Sequence, residues 1–249
     1  SPELTTHAYL KHFGFSDQMI RDFFRSFYGG IFLEDELTTS SRIFEFTFKM
    51  FAQGSATLPS RGMQAIPEQL AARLPEEAIH CRQPVDSIEG TTAHSLGEQY
   101  TAKQLVLAAD GESSGQLMQG MPSPKWNSTI CFHFAAPSPP FDRPIIALKG
   151  DREGLINNVC IPSEVSPSYA PNGRSLVCLS VLGEHLIDEP FTEKIRHELA
   201  DWFGESTQEW QLLRSELIRK ALPVTPPGHK SSEVQTGPVY RVGDFTTSG

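Results

Sequence analysis

One aspartate in this sequence is placed where a ligand could bind. Asp244 follows the apolar run Val239–Val242 and Gly243, so it lies where a strand would end. Open α/β sheets bind ligands beyond the carboxyl ends of their strands, and a carboxylate there can accept a hydrogen bond from a ligand hydroxyl. An acid in an ordinary turn would give the same pattern, so the spacing alone leaves both interpretations open.

A second motif predicts a different chemistry. The stretch Gly111-Glu112-Ser113-Ser114-Gly115 fits the G-x-S-x-G pattern of a nucleophile elbow, in which Ser113 would be the nucleophile of a serine hydrolase. Asp188 and His229 follow in the chain order that such a triad requires. That fold needs several parallel strands with crossover helices, whereas residues 1–54 read as helical. We therefore keep the hydrolase as the lesser alternative.

The stretch from Leu58 to Asp110 organises the rest of the chain. A turn opens a helix whose apolar residues are spaced to share one face, and we expect that face to be buried: Met63, Ile66, Leu70 and Leu74. Two short extended runs and the apolar strand Leu105–Ala109 follow. A helix, a β-meander and an apolar strand in this order predict part of an α/β layer over residues 56–111.

The N-terminal part, residues 1–55, is predicted to be helical. The second of its helices carries several aromatic residues, and we expect it to end at Gly29–Gly30. A third helix over residues 42–53 has an aromatic stripe that includes Phe44 and Phe48. Such a stripe usually forms the core of a helical layer; the alternative is that these two residues line a pocket for a large apolar substrate.

Strands dominate the part over residues 112–225. Four apolar runs are separated by Pro, Gly, Asp and Asn clusters, as antiparallel strands are: Ser128–Ala135, Pro144–Leu148, Leu155–Ile161 and Ser175–Val181. A helix from Thr192 to Phe203 and a long strand within Trp210–Leu222 follow. The predicted fold class is therefore α+β, a mainly antiparallel sheet with helices, plus part of an α/β layer to which residues 226–249 return.

Composition excludes several classes of function. The net charge of −9 over 249 residues argues against a nucleic-acid partner. No apolar run approaches the ~18 residues of a membrane span, and the eight histidines show no metal-ligand spacing, so we expect neither a membrane span nor a metal. The four cysteines form no CxxC or Cys/His cluster. We therefore expect reduced thiols, a cytoplasmic or organelle-stromal location, and no secretion.

The middle and C-terminal segments together resemble the superfamily of flavin-containing amine oxidases, protoporphyrinogen oxidases and phytoene desaturases. The order of the matching pieces, the last of them about 130 residues after the others, carries the resemblance, which runs through almost the whole chain. These pieces are Pro59-x-x-Gly62-Met63-x-x-Ile66, Leu70-Ala71-x-x-Leu74, Val85-x-x-Ile88, Leu105-Val106-Leu107-Ala108-Ala109-Asp110 and Val239-Tyr240-Arg241-Val242-Gly243-Asp244.

The resemblance implies FAD as the cofactor and assigns candidate binding residues. In the family a strand ending in Gly-Asp places a carboxylate beside the ribityl and diphosphate groups, which would be Gly243 and Asp244 here. Val85 matches the position whose backbone contacts the adenine ring. Ala108 and Ala109 match positions where small side chains admit the cofactor. No motif identifies a catalytic base, and hydride transfer to flavin need not have one.

The implied function is an FAD-dependent oxidoreductase that oxidises or desaturates a small organic substrate, apolar in view of the aromatic helices, by hydride transfer to flavin. No two of the 19 glycines are two residues apart, so the GxGxxG motif is missing, as is the family's closing helix after Asp244. We therefore expect a fragment that binds FAD weakly or not at all and is inactive alone. The alternative is a substrate- or partner-binding module without chemistry of its own.

Overall fold

The computed structural model of this chain describes residues 3–118, 124–150, 153–171, 173–229 and 234–246. Its helices are α1 (Thr6–Phe13), α2 (Asp17–Met19), α3 (Arg25–Phe32), α4 (Ser41–Gln53), α5 (Ala65–Ala71), α6 (Gly111–Leu117), α7 (Pro162–Val165) and α8 (Glu189–Phe203). Its strands are β1 (Ser87–Glu89), β2 (Thr92–Ser95), β3 (Glu98–Thr101), β4 (Leu105–Leu107), β5 (Trp126–Ala136), β6 (Ile146–Leu148), β7 (Ile156–Cys160), β8 (Ser175–Leu182), β9 (Gln211–Pro223), β10 (Gln235–Thr236) and β11 (Val239–Arg241). Among these helices there is none with the length and apolar character needed to cross a membrane. The predicted α+β fold class, with mainly antiparallel strands, is confirmed.

Helices α1 to α4 form a helical layer around an aromatic core. A π-helical turn, Ile20–Phe24, joins α2 to α3. The Ser40 hydroxyl accepts a hydrogen bond from the Arg42 N–H (3.1 Å) and so starts α4. Apolar side chains from these helices and the loop between α3 and α4 pack together as the core: Leu10, Ile20, Phe24, Tyr28, Phe32, Leu37 and Phe44.

The prediction that a helix ends at Gly29–Gly30 is wrong, because α3 continues to Phe32. A Cβ at Gly30 would lie 2.4 Å from Asn157 Oδ1, and one at Gly29 would lie 2.9 Å from the Glu34 carbonyl oxygen. The two glycines therefore let the helix approach β7 and the following loop closely. Leu33, with a φ of 56°, ends the helix instead.

The five-stranded antiparallel sheet has the order β6-β7-β8-β5-β9 and includes all the strands predicted over residues 126–223. The Asp188 carboxylate accepts the Phe191 N–H (2.9 Å), so α8 begins three residues before the predicted start at Thr192. One face of the sheet packs against α8 to form the main core, which includes Ile130, Phe132, Phe134, Val159, Val177, Leu179, Ile195 and Leu199.

Two small sheets complete the fold. Strands β1 to β3 form a meander, and β1 lies within the extended run predicted over residues 85–89. The extended run predicted over residues 78–81 is wrong, because a 3-10 turn over Glu76–Ala78 and a turn at Cys81 take its place. In the other sheet β11 pairs in parallel with β4, with Arg241 opposite Leu107, and β10 pairs with β11 on its other side. The C-terminal strand therefore returns to the apolar strand of the middle stretch, as the sequence predicted. Residues 119–123, which follow α6, lie outside the described residues.

The helix predicted after Leu58 is present as α5, but the prediction that its apolar face is buried is wrong. Met63, Ile66, Leu70 and Leu74 keep 60, 48, 59 and 55% of their surface exposed. The spacing of apolar residues predicts a helix and its apolar face, but it does not show whether another element packs against that face. Within the described part of the chain this face is uncovered.

Candidate functional site

Two parallel strands, β4 and β11, end at the same edge of their sheet. The Val242 N–H donates to the Leu107 carbonyl oxygen (3.0 Å), so the pairing of the two strands continues one residue beyond β11. Ala108 and Ala109 therefore leave the sheet beside Gly243 and Asp244. The structure thus brings four of the predicted cofactor residues to one carboxyl edge, where sheets of this kind bind ligands.

The turn that carries Asp244 is tightly packed. A Cβ at Gly243 would lie 2.5 Å from Phe245 Cε1, so a side chain there would displace the ring. Phe245 is 2% exposed, and the Arg241 guanidinium carbon lies 5.2 Å from its ring centroid. The N–H and hydroxyl of Thr246 both donate to the Gly243 carbonyl, at 3.0 and 2.6 Å. These contacts fix the backbone of Asp244 at the sheet edge.

A second aspartate at this edge, Asp110, caps helix α6. Its Oδ1 accepts the N–H groups of Glu112 and Ser113 (both 3.0 Å), and its Oδ2 accepts the Ser113 hydroxyl (2.5 Å). The hydrogen bond from the Ser113 hydroxyl, followed by the backbone bond from the same residue, holds the pKa of Asp110 below its ordinary value. This carboxylate is therefore engaged in starting α6.

The same contacts weigh against the serine-hydrolase interpretation. Ser113 lies in the first turn of α6, and its hydroxyl donates to Asp110 rather than to a histidine. A nucleophile elbow strains the backbone at the serine. Ser113 has no positive φ; the non-glycine residues with positive φ in the described chain are Leu33, Leu37, Arg82 and Leu96.

An apolar cavity of about 280 Å³ joins the helical layer to the sheet edge. Its wall combines side chains from α3, α4 and the end of β9 with Asp244. A mainly apolar cavity with a polar group at a defined place is typical of a small-molecule site. The residues that define it include Ile31, Phe32, Ile43, Phe46, Leu222 and Asp244.

The aromatic residues singled out in the sequence, Phe44 and Phe48, lie outside this wall as the described residues define it. Phe44 is 5% exposed in the helical core, with its ring centroid 4.7 Å from that of Tyr28. Phe48 is 55% exposed. Phe46, between them on α4, lines the cavity instead. The helical periodicity could not predict this, because the facing wall is formed by the end of β9, which is distant in sequence. A pocket role for Phe44 and Phe48 stays a prediction.

The remaining predicted cofactor residue, Val85, lies away from Asp244. It precedes β1, is 42% exposed, and its N–H and carbonyl have no hydrogen-bond partner among the described residues. The next residue, Asp86, lines a cavity of about 460 Å³ with Pro238 and Val239, at the opposite end of β11. The Val85 backbone can therefore accept a ligand, but at a different place from the edge with Asp244.

Comparison with known proteins identifies the family and the fold. The sequence pattern of the family described as flavin-containing amine oxidoreductase matches residues 3–236. A solved structure of a Pyrococcus furiosus protein superposes with a TM-score of 0.75 at 17% identity, over 98% of this chain and 62% of that chain. An oxidoreductase from Methanosarcina mazei gives 0.75 at 17%, over 98% and 64%. Reduced UDP-galactopyranose mutase gives 0.61 at 13%, over 91% and 58%. No curated protein matches the sequence.

The chain belongs to the flavin-containing amine oxidoreductase family, which confirms the resemblance derived from the sequence. It shares its fold with the three solved structures, and it spans 58 to 64% of their lengths. FAD is the cofactor that this family membership implies, as predicted.

The residues at the carboxyl edge fit a flavin cofactor. Gly243 has no side chain, and the Phe245 ring fills the space where a Cβ would lie, so this glycine allows the tight turn that places Asp244 at the edge. The Asp244 carboxylate can accept hydrogen bonds from ribityl hydroxyl groups. Ala108 and Ala109 add only methyl groups to the neighbouring strand end. These four residues are therefore suited to holding the ribityl and diphosphate part of FAD.

Proposed function

We propose that this chain contributes part of the FAD site and the substrate site of an oxidoreductase that oxidises or desaturates an apolar organic molecule. One observation carries the proposal: Asp244, at the sheet edge suited to the flavin, lines the same cavity as the apolar side chains of Ile43, Phe46 and Leu222. A substrate in that cavity would lie next to a cofactor held at Asp244.

The chain's own residues would bind and orient the reactants. When bound, FAD supplies a ring that accepts two electrons, formally a hydride. Asp244 would accept a hydrogen bond from the ribityl chain and so fix the position of the cofactor. Ile43, Phe46 and Leu222 would cover the apolar substrate and exclude water from the reacting atoms. No step in this scheme requires a protein base.

We also propose that residues 56–111 and 226–249 are pieces of an FAD-binding domain that further polypeptide completes. Strand β4 is an edge strand, Val106 on it is 61% exposed, and the apolar face of α5 is uncovered within the described chain. Parallel strands are normally buried on both faces. On this basis we expect the 249 residues alone to bind FAD weakly and to be inactive. The cytoplasm or an organelle stroma remains the proposed location, because all four cysteines are free.

The proposed cofactor role of Asp244 is tested by flavin content. In the protein as its gene encodes it, we expect Asp244→Ala to weaken FAD binding about tenfold or more and so to lower the flavin retained per polypeptide, because a hydrogen bond to a charged group contributes roughly 1.5–3 kcal/mol. Asp201→Ala, an exposed acid on α8, is the matched control and should retain its flavin. Full flavin occupancy in Asp244→Ala would remove the basis of the proposal.

The apolar substrate site is tested by steady-state kinetics on a panel of amines, porphyrinogens and polyenes. Phe46→Ala should lower kcat/KM for the accepted substrate about tenfold, because it removes an aromatic side chain that lines the cavity. Phe48→Ala is the control, since Phe48 is exposed outside this cavity. A larger loss in Phe48→Ala than in Phe46→Ala would move the substrate to another face of α4.

The exposed apolar face of α5 also fits the alternative, a partner-binding module without its own catalysis. The two functions differ in the cofactor. A folded natural protein that takes up no FAD would favour the binding module.

A further inference from the structure

Two cysteines lie directly opposite each other in the five-stranded sheet. Cys160 ends β7, Cys178 lies within β8, and the strand register pairs their Cα atoms. Opposed residues on antiparallel strands have Cα atoms roughly 4.5–5.5 Å apart, and disulfides form across about 4.4–6.8 Å. Their side chains share one face of the sheet, and the two thiols are hydrogen-bonded to each other. The pair can therefore be joined with little movement of either strand.

The pair lies on the sheet face that α8 does not cover. The residues that alternate with it, Val159, Val177 and Leu179, are at most 2% exposed and belong to the core under α8. Cys160 and Cys178 are only partly buried. Because both residues keep part of their surface exposed, a small reagent can reach the thiols on this face, whereas the face under α8 is closed.

The shared hydrogen bond makes the two thiols chemically unequal. The S–H of Cys178 donates to Cys160, and this bond lowers the pKa of the Cys160 thiol. The same bond, together with burial, raises the pKa of Cys178. Because the thiolate is the reactive form, this difference favours Cys160 as the attacking residue, and the facing position of Cys178 lets its sulfur resolve the product.

We propose that Cys160 and Cys178 are a redox-modification site, a dithiol that hydrogen peroxide oxidises to a disulfide and that a thiol reductant restores. The Cys160 thiolate attacks one peroxide oxygen, the O–O bond breaks, and the leaving hydroxide takes a proton to become water; Cys160 is then a sulfenic acid. The Cys178 sulfur next attacks the Cys160 sulfur. The S–S bond forms as hydroxide leaves Cys160 and takes the Cys178 proton, which gives a second water. Two electrons pass from the two sulfurs to the peroxide oxygens.

The test uses the full chain and does not depend on its flavin content. The reduced protein is treated with hydrogen peroxide, denatured, alkylated, digested with trypsin and analysed without reduction by mass spectrometry. Cleavage after Arg174 separates the two cysteines, so the disulfide appears as a cross-linked peptide pair. We expect this cross-linked pair to appear and two of the four thiols to escape alkylation. Treatment with dithiothreitol should make both of these thiols alkylatable again.

Variants distinguish this reaction from general thiol oxidation. Cys81→Ser, which removes an exposed cysteine outside the sheet, should leave the cross-link unchanged. Cys160→Ser should abolish it and leave Cys178 alkylatable. The proposal is overturned if the wild-type chain forms no Cys160–Cys178 cross-link while Cys81 is oxidised, or if Cys178 pairs with Cys131 instead.

Discussion

Asp110 and Asp244 follow parallel strands at the same sheet edge, yet their environments differ. The Asp110 carboxylate accepts hydrogen bonds from the backbone N–H groups and the hydroxyl group at the start of α6. Asp244 lines the apolar cavity shared with the helical layer. The two residues look alike in sequence, each an acid after an apolar strand. The contacts of Asp110 indicate a capping role, whereas ligand binding by Asp244 is our proposal.

The role assigned to Asp110 predicts a loss of stability on substitution. Asp110→Ala should lower the free energy of unfolding by about 1 kcal/mol at pH 7, because α6 loses its N-cap. Chemical denaturation followed by circular dichroism measures this difference. Asp110→Asn, which keeps an acceptor at the cap, should cost much less than the alanine variant. Equal losses in the two variants would contradict a capping role.

The charge on Asp110 also predicts a pH dependence. Its pKa is lowered in the folded state, so its carboxylate contributes stability above the unfolded-state pKa of about 3.9, and that contribution is lost as the pH falls through the lower folded-state pKa. The stability gap between wild type and Asp110→Asn should therefore be constant from pH 7 to about pH 5 and shrink below about pH 4. A gap that grows with acidification would contradict this.

Among the contacts between elements, the one joining α8 to β7 depends on a buried carboxylate. Glu198 is 7% exposed, and its two oxygens accept the N–H groups of Leu155 (2.7 Å) and Ile156 (3.0 Å). Gly154 packs directly against this carboxylate: a Cβ there would lie within 2.2 Å of Glu198 Oε1. The helix is thus fastened to the strand by hydrogen bonds as well as by apolar packing.

Removing this carboxylate should weaken the contact between α8 and β7. Glu198→Ala leaves two backbone N–H groups without partners, and we expect the free energy of unfolding to fall by about 3 kcal/mol. The control is Glu193→Ala on the same helix, which removes an exposed ion pair with Arg196 and should change stability by less than about 0.5 kcal/mol. Urea denaturation of both variants measures these changes. Similar losses in the free energy of unfolding for the two variants would contradict the proposed role of Glu198.

Sequence patterns predicted the elements better than their partners. Helical spacing located α4, and the apolar runs and turn signals located β5 to β9, because these signals are local. The patterns failed where a distant contact decides: Gly29–Gly30 admits β7 instead of ending a helix, and the apolar face of α5 has no cover in the described chain. In both cases the local sequence pattern was used to predict a feature that depends on tertiary contacts.

The candidate site shows the same limit at the scale of the whole molecule. Gly243 and Asp244 could be proposed from sequence because a strand end and a family pattern mark them. The cavity wall could not, because it combines α3, α4, the end of β9 and the C-terminal turn, whose residues span positions 31 to 244. The aromatic stripe marked α4, and Phe46 on this helix lines the cavity together with Leu222 at the end of β9. A substrate role for this cavity is our proposal.

The central claim, that this chain forms part of a flavin site, has one direct test. The protein is purified in the form that its own gene encodes, and its visible spectrum is recorded before and after dithionite. The account predicts a flavin band near ~450 nm that dithionite bleaches. A folded, colourless protein that takes up no added FAD would contradict it.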